Sequence, residues 1–103
     1  MAQFLIKYRF TNGSVEEWHR EIARFIAAID SDPALSGNIT YRCMKSRNGT
    51  DYYHLATTAD ESATKALQER EFFKRYTESA KLAAGGELEV VPLEIIAETR
   101  HTL

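Results

Sequence analysis

Three histidines, one cysteine, five tyrosines and one tryptophan are the side chains of this 103-residue sequence with chemistry beyond charge and bulk. His54 is the strongest candidate for proton transfer, because an imidazole titrates near neutral pH without help from its surroundings. Tyr8, Trp18, Tyr41, Phe72, Phe73 and Tyr76 are spaced so that they could wall a cavity between helices and a sheet. Aromatic walls with hydroxyl tips suit a flat, partly polar organic molecule. The same rings at helical and strand spacing also fit plain core packing. The phase of His54 matters to the choice. If Leu55 faces the helices, His54 points to the other sheet face, toward Arg9, Arg42 or a second copy of the chain, and an interfacial hydrogen bond is then favoured over catalysis.

The remaining candidates are weaker. His19 follows Trp18 and so lies off the apolar stripe of its helix, and His101 stands near the chain end. Neither pairs with another ligand at a metal-binding interval, so no metal site is expected. Cys43, the single cysteine, has no intrachain disulfide partner and reads as a small buried hydrophobe. Lys7, Arg9 and Arg42 fall on one strand face, where Glu89 or Glu94 could meet them in a structural network. Arg70, Lys74 and Arg75 with their acidic neighbours read as a solvated helix face. No glycine-rich phosphate loop, Ser-His-Asp pattern or carboxylate cluster points to nucleotide binding or hydrolysis.

A net charge of −2 supplies no overall field toward nucleic acid or anionic membrane. No stretch approaches the roughly 18 apolar residues of a membrane span, and the N-terminus lacks a signal-peptide pattern, so a cytoplasmic location is the expectation.

The elements that must position these groups are legible as periodicities. Phe4, Ile6, Tyr8 and Phe10 alternate with Leu5, Lys7 and Arg9, the pattern of a strand with one apolar face. Ser14 and Glu17 form a capping box for a helix running to about Asp30, with Val15, Trp18, Ile22, Phe25, Ile26 and Ile29 on one stripe. Residues 38–47 form a second strand. Asn48-Gly49 predicts a two-residue type I′ turn with Gly49 at positive φ, and 51–58 return as a third strand. Asp60 caps a helix expected to continue to about Ala84, where Gly85-Gly86 stops it. Residues 87–99 are extended, interrupted at Pro92, and belong at a sheet edge.

The order βαββαβ predicts one α+β domain over residues 1–103, a ferredoxin-like fold with two helices on one face of a four-stranded antiparallel sheet. The other face would carry Leu5, Arg42, Met44, Val91, Leu93 and Ile95. Such a mixed, uncovered surface predicts a homodimer through the sheet faces.

Three stretches carry a wider likeness: the stripe around Trp18-His19, the run Pro33-Ala34-Leu35-Ser36-Gly37-Asn38-Ile39-Thr40-Tyr41, and the run from Ala66 to Tyr76 containing Phe72-Phe73. With these, nearly the whole chain resembles the antibiotic-biosynthesis-monooxygenase-like family of dimeric α/β barrels. The resemblance implies two subunits facing across their sheets. It also implies a cofactor-free monooxygenase reaction on an aromatic or quinol-like compound, in which the deprotonated substrate itself reduces oxygen. A non-catalytic ligand-binding or assembly module of the same fold is the second reading, since Leu55-Ala56-Thr57-Thr58 stands where members commonly carry an acidic residue and a tryptophan. RNA-recognition domains share the element order and would use Tyr52 and Tyr53, but the basic, glycine-containing strand motif of those domains is missing, so no nucleic-acid partner is expected.

Overall fold

A computed structural model describes residues 1–101; Thr102 and Leu103, which the one-domain expectation includes, lie outside the described residues. The elements follow as β1 (Ala2–Arg9), α1 (Val15–Ser31), β2 (Ile39–Lys45), β3 (Asp51–Thr58), α2 (Glu61–Gln68), α3 (Glu71–Ala83) and β4 (Glu89–Leu93). The strands form one antiparallel sheet in the order β2-β3-β1-β4, the ferredoxin-like arrangement. The main core lies between this sheet and the helices, where Tyr8, Ile39 and Tyr52 meet Trp18, Ile22, Phe25 and Ile29 of α1 and Leu67, Tyr76 and Ala80 of α2 and α3.

Local chemistry sets most of the boundaries. Ser14 Oγ accepts from the Glu17 amide at 3.3 Å and Asp60 Oδ1 from the Ala63 amide at 2.8 Å, so α1 and α2 begin where side-chain oxygens satisfy otherwise unpaired N–H groups. Gly85 and Gly86 end α3 with φ of 67° and 91°. Their amides donate to Leu82 and Lys81 carbonyls at 3.1 and 2.8 Å, a Schellman pair.

Three expectations about the elements need correction. The single helix expected from Asp60 to Ala84 is two helices, with Arg70 extended between them at φ −73° and ψ 135°. Arg70 is not a solvated helix residue: its Nε and Nη2 donate to Asp32 Oδ2 and Oδ1 at 2.7 and 3.3 Å, and this forked bond holds the break. The β2–β3 hairpin is wider than a two-residue turn. Lys45 pairs with Tyr52, and the Ser46 amide donates to the Asp51 carbonyl at 2.9 Å, which leaves residues 47–50 as a four-residue loop. Such loops are built around type I geometry, which needs no left-handed residue, and Gly49 is not at positive φ. The last strand ends at Leu93 and does not continue to Thr99. It does lie at the edge, with Pro92 opposite Phe4.

The face away from the helices carries Leu5, Lys7, Arg42, Met44, Tyr53, Leu55, Glu89, Val91 and Leu93, brought together by the registers Leu5↔Leu55, Leu5↔Val91, Arg42↔Leu55 and Met44↔Tyr53. Among the described residues no helix is long and apolar enough to cross a membrane.

Gly85→Ala should cost roughly 1–2 kcal/mol, because it forces an L-residue into the left-handed region and sets a Cβ 2.5 Å from Thr11 Oγ1. Gly49→Ala should cost much less, since only the rotatable Ser46 hydroxyl stands in the way. Urea unfolding midpoints of the two variants check this, and equal losses would contradict the turn geometry.

Candidate functional site

The register decides which groups enter the core. Tyr8, Ile6 and Phe4 must face the helices, and they stand opposite Tyr52, His54 and Ala56. The inward set of β3 is therefore Tyr52, His54, Ala56 and Thr58, all buried, while Leu55 faces away. This overturns the expected phase: His54 points into the aromatic cluster rather than toward Arg9, Arg42 or a partner. The expectation rested on Leu55 being the more apolar of the two, but a histidine can be buried where its ring nitrogens find partners.

His54 has those partners from three elements. The Tyr8 hydroxyl lies 2.8 Å from Nε2, the Tyr41 hydroxyl 2.5 Å from Nδ1, and the Tyr76 hydroxyl 3.2 Å from both Nδ1 and the Tyr41 oxygen. Behind this group the Trp18 indole N–H donates to the Tyr8 oxygen at 2.8 Å. The rings are held by stacking. Tyr76 lies between Phe25, with centroids 3.8 Å apart and planes at 2°, and Trp18, at 5.6 Å and 13°. Tyr8 stacks on Tyr52 at 5.2 Å and 8°. Each such pair contributes about 0.5–1.5 kcal/mol beyond burial.

Beside this cluster lies a cavity of about 250 Å³. Phe4, Ile6 and Ala56 form its floor, Leu67, Phe73 and Ala80 its roof, and Leu88 and Val90 one side. The roof comes from both sides of the Arg70 break. His54, Tyr41 and Tyr76 make one pole. Thr58 lies four residues further along β3, about 13 Å away at roughly 3.3 Å per residue, and with Thr64 and Gln68 makes a second polar end. A cavity of about 150 Å³ holds benzene, so this one suits a compact, flat molecule with oxygens at its ends.

The aromatic candidates divide by position. Tyr41, Phe73 and Tyr76 line the cavity. Tyr8 and Trp18 are buried behind His54 and hold it in place, and Phe72 lines an outer groove with Glu21, Arg24 and Arg75. Sequence reasoning missed Phe25 as a wall and Thr58 and Thr64 as the far pole. It also missed Ala56, whose small side chain at an inward position of a strand of large residues is the one signal that marks the space. His19 bonds the Tyr52 hydroxyl at 2.7 Å at the cluster's outer margin.

Burial shapes the electrostatics. Desolvation lowers the His54 pKa to about 4, so the ring is neutral at pH 7. It raises the Tyr8, Tyr41 and Tyr76 hydroxyls above their usual value and pushes the Cys43 thiol up to about 11, so all four keep their protons. The pole is thus a neutral hydrogen-bonding site. Among the described residues no group of three or more His, Cys, Asp or Glu side chains is placed to hold a metal ion.

With this geometry in place, solved structures supply the comparison. The cofactor-independent oxygenase SnoaB from Streptomyces nogalater superposes with a TM-score of 0.76 over 97% of this chain and 97% of its own, at 14% identity. The chain has the fold of these oxygenases. A protein described as an antibiotic biosynthesis monooxygenase superposes with a TM-score of 0.76 over 94% of this chain and 100% of its own at 10% identity. A conserved protein from Methanosarcina mazei Go1 does so at 0.74 over 89% of each chain and 14% identity. The fold expected from the runs around Trp18, Pro33 and Phe72 is therefore the one found. No protein-family model matches the sequence, and no curated protein matches it.

Holding His54 neutral has a measurable cost in acid. Between about pH 6.5 and 4 the unfolded chain binds a proton at this ring that the folded chain does not, so stability falls as pH drops. The loss from this residue between pH 7 and pH 5 is about 2 kcal/mol. Urea unfolding at the two pH values should show that loss in the native protein and not in His54→Gln; equal pH dependence in both would show that the ring is not held neutral.

Proposed function

We propose that this chain binds a small, flat, oxygen-bearing aromatic compound in the His54 cavity and promotes its cofactor-free oxygenation. The observation that carries the reading is an apolar cavity with a single imidazole pole, buried beside Tyr41 and Tyr76. Tyr41, Phe73 and Tyr76 are the proposed ligand contacts, and His54 is the proposed centre of proton handling, with Tyr8 and Trp18 setting its position. Phe72 is proposed only as an outer neighbour.

The chemistry asks three things of the protein. It must exclude water, orient the ring, and stabilise the ligand oxygen as a proton leaves, so that the electron-rich anion reduces dioxygen. One oxygen atom then ends on the ligand carbon and the other leaves as water, with all electrons supplied by the ligand. The walls provide the first two requirements and the hydroxyl and imidazole pole the third.

A specific feature favours the second reading, a non-catalytic binding module. Both His54 nitrogens are already hydrogen-bonded, and a conjugate acid near pH 4 makes the resting ring a weak base. Oxygen uptake separates the two. With a dihydroxynaphthalene as probe, Trp18 fluorescence should be quenched on binding, and oxygen consumption above the probe's spontaneous rate is expected; quenching without it would leave the binding module. Ala56→Leu fills the cavity floor and should abolish quenching while the fold persists. Undiminished quenching would place the ligand elsewhere.

We also propose a homodimer through the uncovered sheet face. Leu5, Leu55, Val91 and Leu93 form an apolar strip there that a second copy would bury. Sedimentation should give a dimer for the native chain and a monomer for Leu55→Arg, and a native monomer at micromolar concentration would contradict it.

A further inference from the structure

The hydrogens around His54 can be assigned from the partners each group has. A neutral imidazole carries one N–H and one lone pair, an indole N–H only donates, and a phenol donates once and accepts twice. Trp18 therefore donates to Tyr8. Suppose the ring proton sat on Nε2. The Tyr8 oxygen would then accept from both Trp18 and His54, and the Tyr8 O–H would have no acceptor among the described residues, although Tyr8 is buried. An orphaned buried donor is costly.

With the proton on Nδ1 every bond closes behind the ring. Tyr8 accepts from Trp18 and donates to Nε2, while Nδ1–H donates to the hydroxyl pair. Tyr41 and Tyr76 then share one bond between them, which leaves one O–H over. Both tyrosines line the cavity, so the leftover donor is in the one place where a ligand can use it.

We propose that His54 rests as the Nδ1–H tautomer, fixed through Tyr8 by the Trp18 indole, and that the spare hydroxyl of the Tyr41–Tyr76 pair recognises an acceptor oxygen, the carbonyl of a bicyclic aryl ketone or its oxyanion. This rests on the reading of the cavity as a ligand site and adds to it the polarity of the ligand atom at the pole. Tyr8 and Trp18 are positioning residues: they reach the ligand only through the ring they orient. Replacing Tyr76 alone would not remove the donor, because Tyr41 would accept from Nδ1–H and turn its own O–H toward the ligand.

The test pairs two ligands of one shape, 1-tetralone and tetralin, which differ by a carbonyl, with nitrogen NMR of His54. In the native protein tetralone should bind about three- to tenfold more tightly than tetralin, the worth of one net hydrogen bond. The ring nitrogen coupled to both carbon-bound protons, Nε2, should resonate as unprotonated. In Tyr76→Phe the preference for the ketone and the unprotonated Nε2 should both persist, because Tyr41 takes over as the donor, and tetralin should bind as before, which shows the cavity intact; loss of the preference there overturns the assignment of a shared spare hydroxyl. Equal affinity for the two compounds in the native protein, or a protonated Nε2, overturns the proposal and leaves the ligand-site reading standing. Failure of both compounds to bind overturns the two together. Should Tyr76→Phe not fold, the native ligand pair and the native spectrum still decide.

Discussion

A histidine inside an aromatic core must find its hydrogen bonds there, and much of this structure answers to that need. His54 is 1% exposed, and its partners come from β1, β2 and α3. A one-residue slip between β1 and β3 would carry Tyr8 to the other sheet face and leave Nε2 unpaired. A rotation of α3 would withdraw Tyr76. The imidazole thus ties register, helix orientation and ring stacking to one another, in a way that an apolar side chain of the same size would not.

Space follows from the same arrangement. Tyr76 is clamped between Phe25 and Trp18 and cannot lean over Ala56 to fill the gap. The roof is divided at Arg70, whose bond to Asp32 holds α2 and α3 as separate segments. Rigid rings on one side and a small residue beneath a broken helix on the other leave room that close packing would ordinarily eliminate. The site is therefore a by-product of how the core is braced, which is why fold and candidate chemistry cannot be described apart.

Much of the architecture was legible in the residues. The alternation from Phe4 to Phe10, the caps at Ser14 and Asp60, and the stop at Gly85-Gly86 depend on neighbours a few positions apart, and each sits where it was expected. What was not legible depends on distant partners. The Arg70 break needs Asp32, thirty-eight residues away. The wide hairpin is set by the β2–β3 register and not by the turn propensity of Asn48-Gly49. The inward phase of His54 was hidden because its three hydroxyl partners are scattered over the chain, whereas Leu55 beside it is apolar on its face. For the site, the ring types were visible early, but their division into cavity wall, support and outer groove required the packed structure.

Pro92 has one further meaning. A proline has no N–H to offer a neighbouring strand, so it can sit in β4 opposite Phe4 only with its nitrogen turned outward, to the unpaired rim of the sheet. That rim is where a stray chain would otherwise add itself and begin the run-on growth that leads to fibrils. A missing donor at the fourth position of a five-residue strand interrupts the template near its end. Pro92 thus protects the β4 rim of the sheet against indiscriminate strand addition without disturbing its pairing to β1.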